Sequence, residues 1–140
     1  MPGFYNSLAL VDVITVLEPG RAGTTSSGAI DIAKYEGEVI VVQHAKHAAG
    51  TGPTQDAVLH FSDDDGVADP YAVDPALAAF VQVTDAGGAG DIALRKQTLR
   101  FNVNGRKRYM KWVGTVGGTS TPTFDRSVLL VAFRKDHSQA

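Results

Sequence analysis

Apolar positions along this chain recur every second residue far more often than at helical spacing, and short polar, glycine-rich stretches interrupt them. Leu8 to Leu17 alternates only loosely, but its Val, Ile and Thr content predicts a strand. Pro19-Gly20 is expected to end it, with Gly23 to Gly28 (GTTSSG) as a loop. Ile30 to Ile32 predicts a short strand. Val39-Ile40-Val41-Val42 is a continuous β-branched run, the mark of a strand buried on both faces or of one whose outer face is covered.

His47 to Pro53 (HAAGTGP) is expected to be a loop, Asp56 to Phe61 an alternating strand, and the aspartate-rich stretch Asp63 to Pro75 a loop. Ala76 to Phe80 is the best helical candidate, little more than one turn long. Phe80 to Thr84 alternates again, and Asp85 to Asp91 is expected to be a loop. Thr98 to Val103 places Leu99, Phe101 and Val103 on one face. Asn104-Gly105 follows, a strong hairpin signal because a type I′ turn needs positive φ twice. Its expected partner is Arg108 to Val116, with Met110 and Trp112 opposite in phase to Tyr109 and Lys111. Gly117 to Pro122 is expected to close that strand, and Ser127 to Phe133 to be the last.

This spacing, about eight strands with almost no helix, predicts an all-β fold, an antiparallel β-sandwich of jelly-roll type. The expected domain is 1–140, with 1–8 as an N-terminal arm carrying Phe4, Tyr5 and Leu8. With 140 residues, 44% of them apolar and 20% charged, the chain can bury a core without staples, and it has no cysteine for disulfide or thiolate chemistry. No stretch approaches the roughly 20 apolar residues that span a bilayer. The first basic residue, Arg21, follows the only apolar run near the start, so no secretory leader is expected.

Candidate chemistry is sparse. His44 and His47 are three apart, which in a strand places them on opposite faces, and His60 lies one strand later; no metal site is expected. Asp63-Asp64-Asp65-Gly66 has adjacent rather than alternate carboxylates, Gly fourth rather than sixth, and Asp74 at the twelfth place, so it reads as a solvated turn rather than a calcium loop. The glycine-rich stretches 87–90 and 114–119 are followed by neither a helix nor Lys-Ser/Thr, which excludes a phosphate loop. No GxSxG elbow occurs. No enzymatic activity and no cofactor are expected.

Net charge is −2, yet its distribution is uneven: between Ile92 and Phe124 there are basic residues and no acidic ones. Arg106, Lys107 and Arg108 at the expected hairpin tip form a cationic knob. It can be a soluble edge, a contact for an acidic protein surface such as the Asp63-Asp64-Asp65 loop of a second copy, or, with Phe101, Tyr109 and Trp112 interleaved, a nucleic-acid platform. The negative overall charge disfavours nucleic acid, and no membrane partner is expected.

Three segments carry a resemblance. They are Asp31-Ile32-Ala33-Lys34-Tyr35-Glu36-Gly37 running into Val39-Ile40-Val41-Val42, Leu59-His60-Phe61-Ser62-Asp63-Asp64-Asp65, and Lys107-Arg108-Tyr109-Met110-Lys111-Trp112, continuing through Val116-Gly117-Gly118-Thr119 to Val128-Leu129-Leu130-Val131-Ala132-Phe133. In these the chain resembles the small cement (decoration) proteins of tailed bacteriophage heads, in particular the jelly-roll type of a Bordetella phage. The resemblance implies a homodimeric structural protein on the outer surface of a virion, made in the host bacterial cytoplasm, that clamps neighbouring copies of the major capsid protein. Phe4, Tyr5, Leu8, Arg106, Lys107, Arg108, Asp63, Asp64 and Asp65 are the candidate protein-interface residues. The alternatives are a phage tail or head–tail joining protein and a glycan-binding jelly roll.

Overall fold

The computed structural model describes residues 10–85 and 89–135, the side chains of 89–91 excepted. Seven strands and one short helix follow one another: β1 (Val11–Ala22), β2 (Thr25–Ser26), β3 (Ile30–Asp31), β4 (Tyr35–Ser62), β5 (Ala72–Val73), α1 (Ala89–Leu94), β6 (Lys96–Asn102) and β7 (Tyr109–Arg134). All pairings are antiparallel. β4 and β7, of 28 and 26 residues, pair along nearly their whole length, from Tyr35↔Arg134 to Ser62↔Tyr109. This two-stranded ribbon folds back on itself. Its 35–47 and 124–134 limbs carry β6 and β1 on their flanks, giving a first layer β1–β7–β4–β6. Its 54–62 and 109–117 limbs carry β5 on one flank and β2 and β3 on the other, giving the second layer. A folded ribbon with this strand order in both layers is jelly-roll wiring.

Contacts between the limbs show the layers face to face. Phe61 of the second layer meets Phe101 of the first edge-to-face at 5.7 Å, an arrangement aromatic quadrupoles favour. The Trp112 Nε1–H of the second layer donates to Gln43 Oε1 of the first at 2.8 Å. Val39, Val41, Val128 and Leu130 of one layer and Leu59, Met110 and Trp112 of the other fill the space between. Alternation along each strand puts these residues inside and their neighbours outside.

The fold of the ribbon falls where the sequence suggested two loops. His47 to Pro53 and Gly117 to Pro122 are not loops but bulged strand, with register shifts at His47/Ala49, Ala49/Thr51 and Thr51/Thr54. Extra residues on one strand bend a ladder without ending it. Gly50 (φ +98°) and Gly118 (φ +122°) stand at this corner. A Cβ on Gly50 would lie 2.5 Å from Pro122 Cα, and one on Gly118 2.8 Å from the Gly52 carbonyl oxygen. Likewise β1 runs through Pro19-Gly20 to Ala22, shifting register between Leu17 and Gly20.

Other expectations also change. β6 and β7 do not pair with each other, because Asn104-Gly105 carries the chain from one layer to the other. Its Arg106 N–H donates to Val103 O at 3.0 Å, and of the two central residues only Gly105 (φ +78°) has positive φ. That pattern belongs to a type II rather than a type I′ turn. Residues 76–80 are not helical, since the Asp74 side chain and carbonyl take the N–H groups of Ala76 and Leu77 in a turn after which Phe80 N–H donates to Ala57 O. A helix of barely one turn has no cooperative reserve against such competition. The helix instead lies at 89–94, where the glycine-rich sequence predicts a loop, and Leu94 packs on the small cluster of Ala45, Val83 and Phe124 beside the ribbon's fold. Residues 80–84 contribute only the bridge Gln55↔Val83.

Candidate functional site

Three places in the structure could act on something outside the chain: the charged end of the sandwich, the polar cluster between the layers, and the outer faces of the sheets.

At the charged end, the basic turn and the aspartate loop meet, within one molecule. Arg106 pairs with Asp74, Lys107 Nζ sits 2.7 Å from both oxygens of Asp69, and Arg108 Nη2 lies 2.8 Å from Asp31 Oδ2. The first two pairs tie the turn at 103–108 to the aspartate-rich loop, and the third ties it to the end of β3. The Arg108 guanidinium holds the Asp31 carboxyl below the usual range, and Lys107 does the same to Asp69. For Asp74 the Ala76 N–H leads and Arg106 adds. The basic and acidic segments singled out in the sequence thus share one end, but as partners of each other inside the chain. Arg106, Lys107, Arg108 and Asp63 line a cleft of about 410 Å³, and the first three are already partnered.

Asp64 organises the acidic loop rather than a cation. Its carboxylate accepts the backbone N–H groups of Val67 (3.0 Å), Ala68 (2.7 Å) and Asp69 (3.1 Å). Those donors, Asp69 and Ala68 foremost, hold its pKa down. Asp65 (φ +59°) accepts the Tyr71 hydroxyl at 2.6 Å, and Asp63 N–H donates to Asp69 Oδ2 at 2.8 Å. Among the described residues no group of three or more His, Asp or Glu is arranged to hold a metal ion. His44 is exposed, the His47 backbone N–H donates to the buried Asp85 carboxylate at 2.6 Å, and burial lowers the pKa of His60. Phe4, Tyr5 and Leu8 lie outside the described residues.

Between the layers, Arg126 is buried. Its Nη1 donates to Gln55 Oε1 at 3.1 Å and its Nη2 to Gly23 O, while the guanidinium stacks 5.3 Å over the Trp112 ring. Desolvation lowers its pKa, yet a guanidinium keeps its proton at any ordinary pH. Among the described residues no carboxylate faces it; a carbonyl, an amide and an indole face hold the charge. The cluster fastens both layers to the β1–β2 connection and leaves Trp112 fully buried.

The two outer faces differ in kind. That of the second layer is mixed: Asp56, Val58, His60, Tyr109, Lys111, Val113 and Val73, with Lys111 Nζ 4.2 Å over the Tyr71 ring. That of the first layer is aliphatic at its centre. Register places Val13, Val131 and Ile40 side by side, then Leu129 and Val42, with Val11 next to Phe133. Their strand neighbours Val39, Val41, Leu130 and Ala132 point inward, so these seven point out. Val13, Leu129 and Phe133 are 65%, 40% and 47% exposed. Sequence reasoning did not name this surface as a site, although its signal was present: the β-branched run 39–42 asked for cover on both faces, and the described residues supply it on one.

No protein-family model matches this sequence, and no curated protein does. Among solved structures, the SPBc2 prophage-derived protein YomS is similar with a TM-score of 0.49 at 9% identity, over 87% of this chain and 93% of that one. The VP2 subviral particle of infectious bursal disease virus gives 0.47 at 14% identity over 89% of this chain and 32% of that one. A Bacillus endospore appendage protein gives 0.43 at 14% over 90% and 89%. At these scores the likenesses carry no argument about what this chain does.

Proposed function

We propose that this protein is a structural component of a tailed-bacteriophage virion, bound to the outside of the head, where it braces neighbouring major capsid proteins. The observation that supports the reading is where the segments resembling cement proteins lie. Residues 40–42 pair with 129–131, and 59–62 with 109–112. Asp31 meets Arg108 across the same end. Segments up to a hundred positions apart thus form the folded ribbon and its fastened end, the stiff part of the molecule. A brace needs that property: surfaces held in fixed relation by ladder hydrogen bonds, bound to several subunits whose modest contacts add at high effective concentration.

Trp112, the aromatic a glycan-binding jelly roll would display, is instead buried against Gln43 and Arg126. The test is to add purified protein to heads assembled without it. Cement action predicts many copies spread over the shell and greater resistance of the heads to heat and osmotic shock. A few copies at one vertex would indicate a joining protein, and no binding would refute the reading.

A further inference from the structure

A polar belt crosses the space between the layers. On β4 the inward Gln43 stands between Val41 of the main apolar cluster and Ala45 of the small one, and on β7 Arg126 stands between Val128 and Phe124 of the same two clusters. Register sets Ala45 opposite Arg126 and Val128 opposite Gln43. The two polar residues are therefore diagonal neighbours, roughly 7–8 Å apart along the sheet. Gln55 reaches the belt from the other layer, one inward step before Ala57. All three are enclosed, with Gln43 and Gln55 0% exposed and Arg126 2% exposed. The belt carries one positive charge, and no carboxylate among the described residues pairs with it.

The belt is also short of acceptors. Trp112 Nε1 can only donate, so the Gln43 atom 2.8 Å from it is the amide oxygen, and Arg126 Nη1 fixes the Gln55 oxygen at 3.1 Å in the same way. Both amides are thereby oriented, and turning either over would set N–H against N–H. Three nitrogens then have no acceptor among the described residues: Gln43 Nε2, Gln55 Nε2 and Arg126 Nε. Every orphan in the belt is a donor. Buried donors are paired in nearly all folded proteins, and a desolvated cation calls for an opposite charge beside it. We propose that the belt holds a compact monovalent anion of the halide class, chloride in ordinary buffers, which accepts from these three nitrogens and neutralises the guanidinium. A water molecule would bring two more donors and no charge. An ion as large as phosphate is too bulky for layers about 10 Å apart whose side chains already fill the space between them. The anion ties Gln43 and Arg126 of the first layer to Gln55 of the second, so the sandwich is more stable where the ion is abundant. The site does not depend on the capsid reading, and either can fail alone.

Melting of the full chain at about pH 7 and fixed ionic strength, with sodium gluconate exchanged stepwise for sodium chloride, tests it. An ion bound only by the folded state should raise Tm by about 4–5 °C for each tenfold increase in chloride above its dissociation constant. Gln55→Glu is nearly isosteric, keeps the acceptor for Arg126 Nη1, removes one orphan donor and supplies the missing negative charge. It should lose the chloride dependence and melt at or above the wild type in gluconate alone. Gln43→Glu provides the same readings if far-UV circular dichroism shows that Gln55→Glu does not fold. Wild-type crystals grown in bromide should give an anomalous peak between the layers, within hydrogen-bonding reach of Arg126 Nε. A Tm indifferent to chloride overturns the proposal. So does a chloride slope equal in the wild type and the Glu variants, which would place the ion elsewhere. An ordered water with no bromide signal, or an acceptor from residues 1–9, 86–88 or 136–140 against Arg126 Nε, overturns it too.

Discussion

Trp112 and Gly114 stand on the same inward face of β7, two residues apart, and their fit offers a quantitative test of the packing between the layers. A Cβ on Gly114 would lie 2.2 Å from Trp112 Cη2, 2.8 Å from Cζ3 and 2.9 Å from Cζ2. Carbon atoms sit comfortably at about 3.5–4.0 Å, so Gly114→Ala requires the indole to move by about 1.5 Å. The indole is held at its other edge by the 2.8 Å bond to Gln43 and on its face by Arg126. A shift of that size breaks the bond, which is lost beyond about 3.5 Å. Overpacking against a ring held in this way should cost about 3 kcal/mol, the upper end of the usual range. Trp112→Phe should cost about 2–3 kcal/mol, from the space vacated by the outer ring and from a buried Gln43 oxygen left without its donor. In the Trp112→Phe background, however, the atoms that the added methyl group would strike are gone, and Gly→Ala within a strand recovers some chain entropy. The double variant should then be no less stable than Trp112→Phe alone, a coupling of about 3 kcal/mol in the cycle. Urea denaturation at constant m-value measures all four corners. Additivity within about 0.5 kcal/mol would refute the claim that the missing Gly114 side chain is space for this indole.

The ribbon's corner and the charged end give further expectations. Gly118→Ala meets backbone at 2.8 and 2.9 Å in a left-handed conformation, whereas Gly105→Ala, also at positive φ, meets nothing within 4 Å. The first should therefore cost about 3 kcal/mol or more and the second about 1–2, measured by the same denaturation; equal costs would contradict the close approach at the corner. Asp31, Asp64, Asp69, Asp74 and Asp125 all have folded pKa values below the usual carboxylate range. Their contribution is present above about pH 4 and is lost as pH falls through the lowered values, because the unfolded chain takes up the protons first. Burial also lowers the pKa of His60, so a shallower decline should begin below about pH 6.5 and vanish in His60→Gln. Melting temperature against pH reads both, and a flat profile down to about pH 3 would contradict the aspartate assignment.

Much of the architecture is legible in the sequence because it depends on local periodicity. Alternation at 99–103 and 109–113 sets Phe101 with Val103, and Met110 with Trp112, on single faces that are found inside, whereas the continuous run 39–42 does not tell which of its residues face in; Val39 and Val41 do. The spacing of turn residues implies a two-layered antiparallel fold. Loops are misjudged where glycine serves a bend within a strand rather than its end, as at Gly50 and Gly118, because the same residue supports both uses. The Asn104-Gly105 turn is misjudged for a related reason: a turn dipeptide shows that the chain reverses, not whether the strands on either side pair.

What the amino-acid order determined alone is therefore which residues avoid water and where the backbone can turn, since both are properties of a few neighbouring positions. Only the folded chain decided which turns face one another. Arg106, Lys107 and Arg108 found Asp74, Asp69 and Asp31 in their own molecule, and seven outward side chains from β1, β4 and β7 came to form one aliphatic surface. Such neighbourhoods join positions up to about 120 residues apart, and long-range strand pairing, not local sequence, brings them together.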